Sequence, residues 1–378
     1  MKIVYVYKAL ALWGGIERIL VDKMNYLSEQ YNYDIYIITT CQGMHPIPYK
    51  LAANVVHIDL GIRFHTKYQY SYPQRLWISH KMNQAFKKKL DQQINNIKPD
   101  IIVTVADMFV NVITSLFPHI PIIAESHSMK SHTAIVENHR NNIIRNYIRN
   151  KYLQSINKVT TLVTLTQGDA TEWKIPEITE IIPNCIHYNE QYLSSCENKK
   201  VILVGRFAYQ KGIDYAIKAW KIVHKKHPDW SLHIYGEGEL KNKYLEIIKE
   251  EGLTNSIIPH EPIGNIFEAY AENSMLLLTS RYEPFGLVIG EAMTCGIPCV
   301  SFDCPYGPRS IITDKVDGLL AQNGNVTDLS NKINYLIEHE DIRKEMGKKA
   351  KENIQRFYPD RIMPMWKQLF ENVIKQKS

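Results

Sequence analysis

Short apolar runs alternate with helical patterns along nearly the whole chain. The runs Lys2–Tyr7, Asp34–Thr39, Val55–Leu60, Ile101–Ala106, Ile120–Ala124 and Leu162–Thr166 read as buried strands. A second series follows at Lys200–Gly205, Leu232–Gly236, Ser256–Ile258, Met275–Thr279, Pro298–Phe302 and Gly318–Ala321. Amphipathic stretches lie between them, among them Ile16–Tyr26, Gly212–Trp220 and Leu287–Cys295, the last ended by Gly296. Strand alternating with helix predicts parallel sheets covered on both faces. The polar, aperiodic stretch Asn184–Lys199 separates the two series. The fold class is therefore α/β, with two Rossmann-like doubly wound domains, 1–183 and 184–359. The last segment, Asp360–Lys375, spaces Ile362, Met365, Trp366, Leu369 and Phe370 as a helix, with Pro364 in or near its first turn.

A chain of 378 residues can bury two cores of ordinary size, and 45% apolar with 22% charged residues excludes a disordered polymer. Met1–Leu12 is apolar but lacks a charged start and a small-residue cleavage site, so it reads as the first strand. No apolar run reaches the roughly 18 to 20 residues that cross a bilayer, which makes any membrane contact peripheral. Six cysteines show no CxxC pair, and free thiols in a reducing, cytoplasmic setting are expected. The net charge of +6 is confined to residues 1–183, which hold 20 Lys and Arg against 14 Asp and Glu. Lys81 and Lys87–Lys89, then Arg140, Arg145, Arg149 and Lys151, are interspersed with Phe86, Leu90, Ile143, Ile144 and Ile148. These read either as solvated helix surfaces or as basic amphipathic helices facing anionic lipid at the inner face of a membrane. No nucleic-acid motif accompanies them, and nucleic acid is not expected as a partner. Tyr68, Tyr70 and Tyr72 read more simply as cover for a core than as rings that stack on a sugar.

The chemistry concentrates in Glu283-Pro-Phe-Gly-Leu-Val-Ile-Gly-Glu291. A strand ends before it and a helix starts at Leu287, so the loop presents unpaired backbone N–H groups and the positive end of a helix dipole to an anion. Gly286 permits close backbone approach and Pro284 stiffens the turn. Phe285, Gly286 and Leu287 would then border a phosphate, with Glu283 bonded to sugar hydroxyls on one side and Glu291 to a ribose diol on the other. Two glutamates around a helix start also occur simply as a dipole partner and a solvated residue. Arg206 and Lys211 follow a strand's carboxyl end and can neutralise a diphosphate, one as a fork and one as a point charge. They stand near a helix start, where the dipole disfavours cations, and that local conflict favours a functional role. Gly14-Gly15 opens a helix after the first strand and reads as a phosphate-approach loop or a plain turn. The full GxGxxG pattern is absent, which argues against a nicotinamide enzyme. No Asp-x-Asp occurs, so no required metal is expected.

Glu283-x7-Glu291, with Val204-Gly-Arg206, Lys211-Gly212 and Gly14-Gly15-Ile-Glu17, resembles the retaining glycosyltransferases of the GT-B fold, specifically the large family numbered four (group 1). The likeness is strongest from Val201 to Ile312 and weak from about Gly43 to Lys98. It implies two domains facing a cleft, with the helix from Asp360 onward (360–378) crossing back to the first. It implies transfer of a hexose or N-acetylhexosamine from a nucleotide sugar, a uridine donor being the commoner, to a glycan acceptor that is lipid-linked, in surface polysaccharide synthesis. His127, in Glu125-Ser-His127-Ser after a strand, matches a histidine that touches the donor sugar in similar enzymes. By residue type alone a lone histidine is more often structural. The resemblance gives Glu283 a sugar-orienting role without a covalent intermediate. It also places the nucleobase beside Tyr235–Leu240 and Pro259–Pro262. Neither Glu125 nor Asp107 receives a role. A phosphorylase would need a pyridoxal-phosphate lysine and a longer chain. An inactive nucleotide- or glycan-binding scaffold of the same fold is the alternative from another class, and binding groups alone do not exclude it.

Overall fold

The computed structural model describes residues 1–132 and 143–376 of the chain. Arg140 and the side chain of Arg145 lie outside the described residues. Two compact units form, Met1–Ile182 with Met363–Ser378, and Pro183–Ile362.

The first unit is built on seven parallel strands: β1 (Lys2–Tyr7), β2 (Asp34–Thr39), β3 (Val56–Asp59), β4 (Ile101–Val105), β5 (Ile122–Glu125), β6 (Thr161–Thr164) and β7 (Thr179–Ile181). Their order is β3-β2-β1-β4-β5-β6-β7. The central strands β1, β4 and β5 are buried almost throughout, as expected where helices cover both faces. The seventh strand has no counterpart in the apolar pattern. Its sequence is Thr-Glu-Ile, and it exists because Leu162 to Thr164 of β6 offer an edge to pair with. Helices Gly15–Tyr31, Tyr72–Ile97 and Val110–Leu116 cover the sheet. In the long helix, Phe86, Leu90, Ile94 and Ile97 are buried in the unit's core. The apolar residues that made its later turns look lipid-facing are therefore already covered.

The second unit carries β8 (Lys200–Val204), β9 (Ser231–Tyr235), β10 (Ile257–His260), β11 (Met275–Leu278), β12 (Cys299–Phe302) and β13 (Gly318–Ala321), ordered β10-β9-β8-β11-β12-β13. Trp220, Leu232, Ile234, Leu277 and Phe302 make up part of its core. The stretch expected to be a linker is packed into this unit instead. The Ile186 N–H donates to Phe357 O over 2.8 Å, and Tyr188 stacks on Tyr358 at 4.1 Å. Buried Arg343 donates its Nε to Cys196 O at 2.8 Å and lies over the Trp230 ring. A polar sequence looks like a tether because its partners are carbonyls and rings far along the chain, which periodicity does not register.

In each sheet the strand order reverses once, between β1 and β4 and between β8 and β11, which is where open α/β sheets bind ligands. The final helix, Pro359–Lys375, belongs to the first unit from Met363 on, with Trp366 and Phe370 buried there and Pro364 tolerated inside the helix. Among the described residues no helix is long and apolar enough to cross a membrane.

Gly212 tests how tightly the second sheet's central loops are fitted. Its φ is +60°, and a Cβ there would stand 2.1 Å from Thr279 O, whereas Gly252, at φ +68°, has no atom within 4 Å of that position. Gly252→Ala is expected to cost about 1–2 kcal/mol, the left-handed penalty alone, and Gly212→Ala clearly more, read as the difference in urea midpoints of the two variants.

Candidate functional site

The sequence-predicted residues fall into two groups, one in each unit. In the second unit the loops after β8 and β11 are joined at the reversal of strand order. After β8 the chain makes a single turn, Tyr209–Lys211, and enters the helix Ile213–Lys226 through left-handed Gly212. Lys211 lies back along the loop, its side-chain carbons packed against Gly205. Its Nζ donates to the Glu283 carboxylate over 2.6 Å, and Ser280 Oγ donates to the same oxygen over 3.0 Å. Both members of the ion pair are largely buried. The Glu283 backbone is equally fixed: its N–H donates to Pro305 O, and its carbonyl accepts from the Tyr306 and Gly307 N–H groups. Two residues that looked like separate grips for phosphate and sugar are thus one hydrogen-bonded unit.

A device missed in the sequence holds these loops together. Arg281 clamps Asp214 with two bonds of 3.0 and 2.7 Å and donates to Tyr209 O over 2.7 Å. Its guanidinium lies between the rings of Tyr209 and Tyr215, at 4.0 and 4.4 Å from their centroids. Thr279 Oγ1 donates to Lys211 O over 2.9 Å. An arginine two residues before the key glutamate, with an acid in the first turn of the helix that follows β8, is the available sequence signal, but it has no meaning until β8 and β11 are known to be neighbours.

Gly286, at φ +99°, is the N-cap of the helix Leu287–Thr294, whose first N–H groups have no partner within the helix. Half-buried Leu287 opens that helix. Phe285 does not present its ring to a ligand: it is buried edge-on against Phe357, with centroids 5.5 Å apart, so only its backbone remains for donor contact. Glu291 is buried, and the Tyr270 hydroxyl donates to it over 3.3 Å. Arg206 is exposed, with no ion-pair partner among the described residues, and is the cation free to meet a phosphate. Beyond β9 and β10, Tyr235 stacks on His260 at 4.3 Å with planes 8° apart, in the loops expected to border a base. His260 also bonds His233 over 2.9 Å, and burial, with His260 and Lys200 nearby, pushes the His233 imidazole down to about 4.

In the first unit His127 follows β5 and is buried, its Nε2 3.0 Å from Glu125 Oε2. The same oxygen accepts from Lys23 Nζ at 2.5 Å, and Lys23 lies 3.7 Å above the Trp366 ring. Burial alone would raise the Glu125 carboxyl; Lys23 and His127 outweigh it and hold the group down to about 2. Glu125, which the sequence left without a role, thus orients His127. Burial raises the nearby Asp107 carboxyl, a trend opposed by its backbone bond, His127 and Lys8. Gly14 caps the helix Gly15–Tyr31 without a side-chain bond, and the Glu17 carboxylate folds against it, accepting from Tyr7 OH over 2.9 Å. The Gly14-Gly15 turn therefore already carries an anion of its own.

Two parallel sheets, each with one reversal of strand order, define the GT-B class, and comparison with known proteins agrees. The solved structure of Anabaena Alr3699/HepE in complex with UDP superposes with a TM-score of 0.77 at 20% identity, covering 98% of this chain and 100% of that one. An uncharacterized glycosyltransferase of Haemophilus influenzae is 26% identical over 360 residues, 94% of this chain and 95% of the relative. The amylovoran biosynthesis glycosyltransferase AmsD of Erwinia amylovora is 35% identical over 170 residues, 45% of this chain and 47% of its own length. Residues 188–353 match the family described as glycosyl transferases group 1. The second unit is thus similar to that group, and the chain as a whole is similar to glycosyltransferases.

The Lys23–Glu125–His127 cluster has a pH signature. A carboxyl with its folded value below its ordinary 4.5 contributes stability that is full above 4.5 and is lost as pH falls from there toward 2. Urea unfolding of wild type should show that acid limb, and Glu125→Gln should lack it. Lys23→Met, which leaves Glu125 charged and buried, is expected to cost about 3–5 kcal/mol, and adding Glu125→Gln should recover most of the loss.

Proposed function

We propose that the protein is a retaining, metal-independent glycosyltransferase that moves a hexose or N-acetylhexosamine from a UDP-sugar to a growing glycan. The acceptor in this reading is lipid-linked, and the enzyme works in the cytoplasm at the inner face of the membrane. The carrying observation is the Lys211–Glu283 pair at the reversal between β8 and β11, beside a helix that starts at left-handed Gly286. A UDP-bound structural neighbour and a relative named for amylovoran biosynthesis support the donor and the product class.

Each group then has a task that follows from its chemistry. Arg206 and the first N–H groups of Leu287–Thr294 receive the diphosphate, and Lys211 adds positive charge at the leaving oxygen. Charge stabilised at that oxygen as the glycosidic bond breaks is the main catalytic contribution, and these donors supply it without a metal. Glu283, held by Lys211 and Ser280, orients the sugar hydroxyls, and Glu291 takes the ribose diol. The Tyr235–His260 stack is a flat apolar surface suited to a base. The acceptor hydroxyl attacks on the face from which UDP departs, its proton passing to a phosphate oxygen, so the anomeric configuration is kept.

A thermal-shift series with UDP, GDP and UDP-hexoses tests the donor. At about 100 times its dissociation constant a ligand adds roughly 2.7 kcal/mol, a shift of a few degrees. UDP should stabilise wild type, Arg206→Ala should weaken that effect, and Glu283→Ala should keep the response to UDP but lose the increment from the sugar. His127→Ala should bind UDP normally and transfer poorly. Silence toward every nucleotide would sink the donor reading and favour a catalytically inactive scaffold. Transfer undiminished by EDTA, with an α-linked product from an α-linked donor by NMR, checks metal independence and retention.

A further inference from the structure

The tyrosines expected to cover a core do not. Tyr68 is 65% exposed, Tyr70 45% and Tyr72 69%, and beside them on the helix Tyr72–Ile97 stand Leu76 and Trp77 at 59% and 60%. Five large apolar side chains therefore lie open at one end of a helix whose later turns bury only Phe86, Leu90, Ile94 and Ile97. Isolated exposed residues need no explanation, but five within ten residues of sequence do.

Basic groups are threaded through this patch. Lys81 Nζ lies 3.7 Å above the Trp77 ring, while Lys67 and Arg75 flank the Tyr68 ring at 5.3 and 5.1 Å. Between Asp59 and Asp91 the chain has seven Lys and Arg residues and no Asp or Glu. On the helix, Leu76, His80, Asn83 and Lys87 follow at intervals of three and four and form one stripe. The stripe runs from the apolar end into a groove of about 900 Å³, lined by His80, Lys87, Ser115, Lys151, Gln154 and Lys158. The groove is thus walled mainly by basic and neutral polar side chains.

We propose that this face of the first unit docks on an anionic phospholipid bilayer, with the rings of Trp77 and the three tyrosines and Leu76 entering the headgroup level and the basic groove receiving lipid phosphates. The pairing of aromatic rings with basic residues decides the occupant. Tryptophan and tyrosine settle at the membrane–water interface, where one edge is apolar and the other wet, and lysine stems reach past them to the phosphates. A polyanion in water would satisfy the lysines but leave Leu76 and Trp77 hydrated. The proposal deepens the lipid-linked-acceptor reading and rests on it, since an acceptor anchored in a bilayer brings the enzyme to its surface.

Flotation of the full chain with vesicles, in the absence of nucleotide and acceptor, tests docking separately from transfer. Wild type should float with vesicles of equal parts phosphatidylglycerol and phosphatidylcholine and not with phosphatidylcholine alone. Leu76→Ser with Trp77→Ala should lower binding at least about tenfold, Trp77→Tyr should retain most of it, and each of Lys87→Glu and Lys151→Glu should lower it by about fivefold or more. Circular dichroism melts confirm that each variant is folded. No flotation of wild type with anionic vesicles at low salt overturns the proposal. So does a Leu76→Ser, Trp77→Ala variant that binds as wild type while the lysine variants fail, a result that identifies a site for a soluble polyanion such as a phosphate-bearing glycan. Transfer to a soluble acceptor by a variant that no longer floats would separate membrane docking from the donor reading.

Discussion

The hydrogen-bonded ion pair between Lys211 and Glu283 joins the loops that leave the two central strands of the second sheet. An ion pair removed from water gains little net stability, because desolvation offsets the attraction, yet losing one partner leaves an uncompensated charge. The pair is thus better understood as fixing geometry. The groups around it follow from its position: Ser280 shares the carboxylate, Thr279 bonds the Lys211 carbonyl, and Gly212 has no room for a Cβ because the Thr279 carbonyl stands there. Arg281 and Asp214 close the same two loops from outside. Function in such a site comes from rigid placement of a few charges beside a helix start, where phosphate affinity is set by backbone N–H groups that need no rearrangement.

The first unit solves a related problem with a buried charge network. His127 is held by Glu125, Glu125 by Lys23, and Lys23 rests on the Trp366 ring of the C-terminal helix. A residue more than two hundred positions along the chain thereby sets the environment of a histidine after β5. The Glu17 carboxylate lies beside the helix start after β1, bonded to the Tyr7 hydroxyl. Two glycine-led helix starts of similar appearance, at Gly14 and Gly286, thus have different neighbours, the Glu17 carboxylate at one and the Glu283 and Ile289 side chains at the other.

The two faces of the helix Tyr72–Ile97 illustrate how packing sorts residues of one type. Its later turns carry Phe86, Leu90, Ile94 and Ile97 into the core, while the first turns leave Tyr72, Leu76 and Trp77 in solvent among basic side chains. By composition the later turns look more amphipathic. Their apolar stripe is taken up by the unit's core, and the exposed apolar surface lies on the first turns.

Much of the architecture was legible because periodicity is a local property. Strands such as Lys2–Tyr7, Asp34–Thr39 and Gly318–Ala321 occur at their expected bounds, since a short apolar run between turn residues has few other stable states. The helix start after Glu283-Pro-Phe-Gly was legible for the same reason, as was the chemistry of its charged neighbours. β7 was not, for its three residues become a strand only through the edge that β6 presents. The packing of Asn184–Lys199, the Arg281–Asp214 clamp, the burial of Phe285 and the merging of Lys211 with Glu283 were not legible either. Each depends on which strand lies beside which, and strand order is fixed by contacts across tens of residues whose energies have no periodic trace in the sequence. Residue types and local spacing determined what groups this protein carries and which elements bear them; the order of strands in two sheets decided which groups touch, because hydrogen bonds and ion pairs act over about 3 Å regardless of distance along the chain.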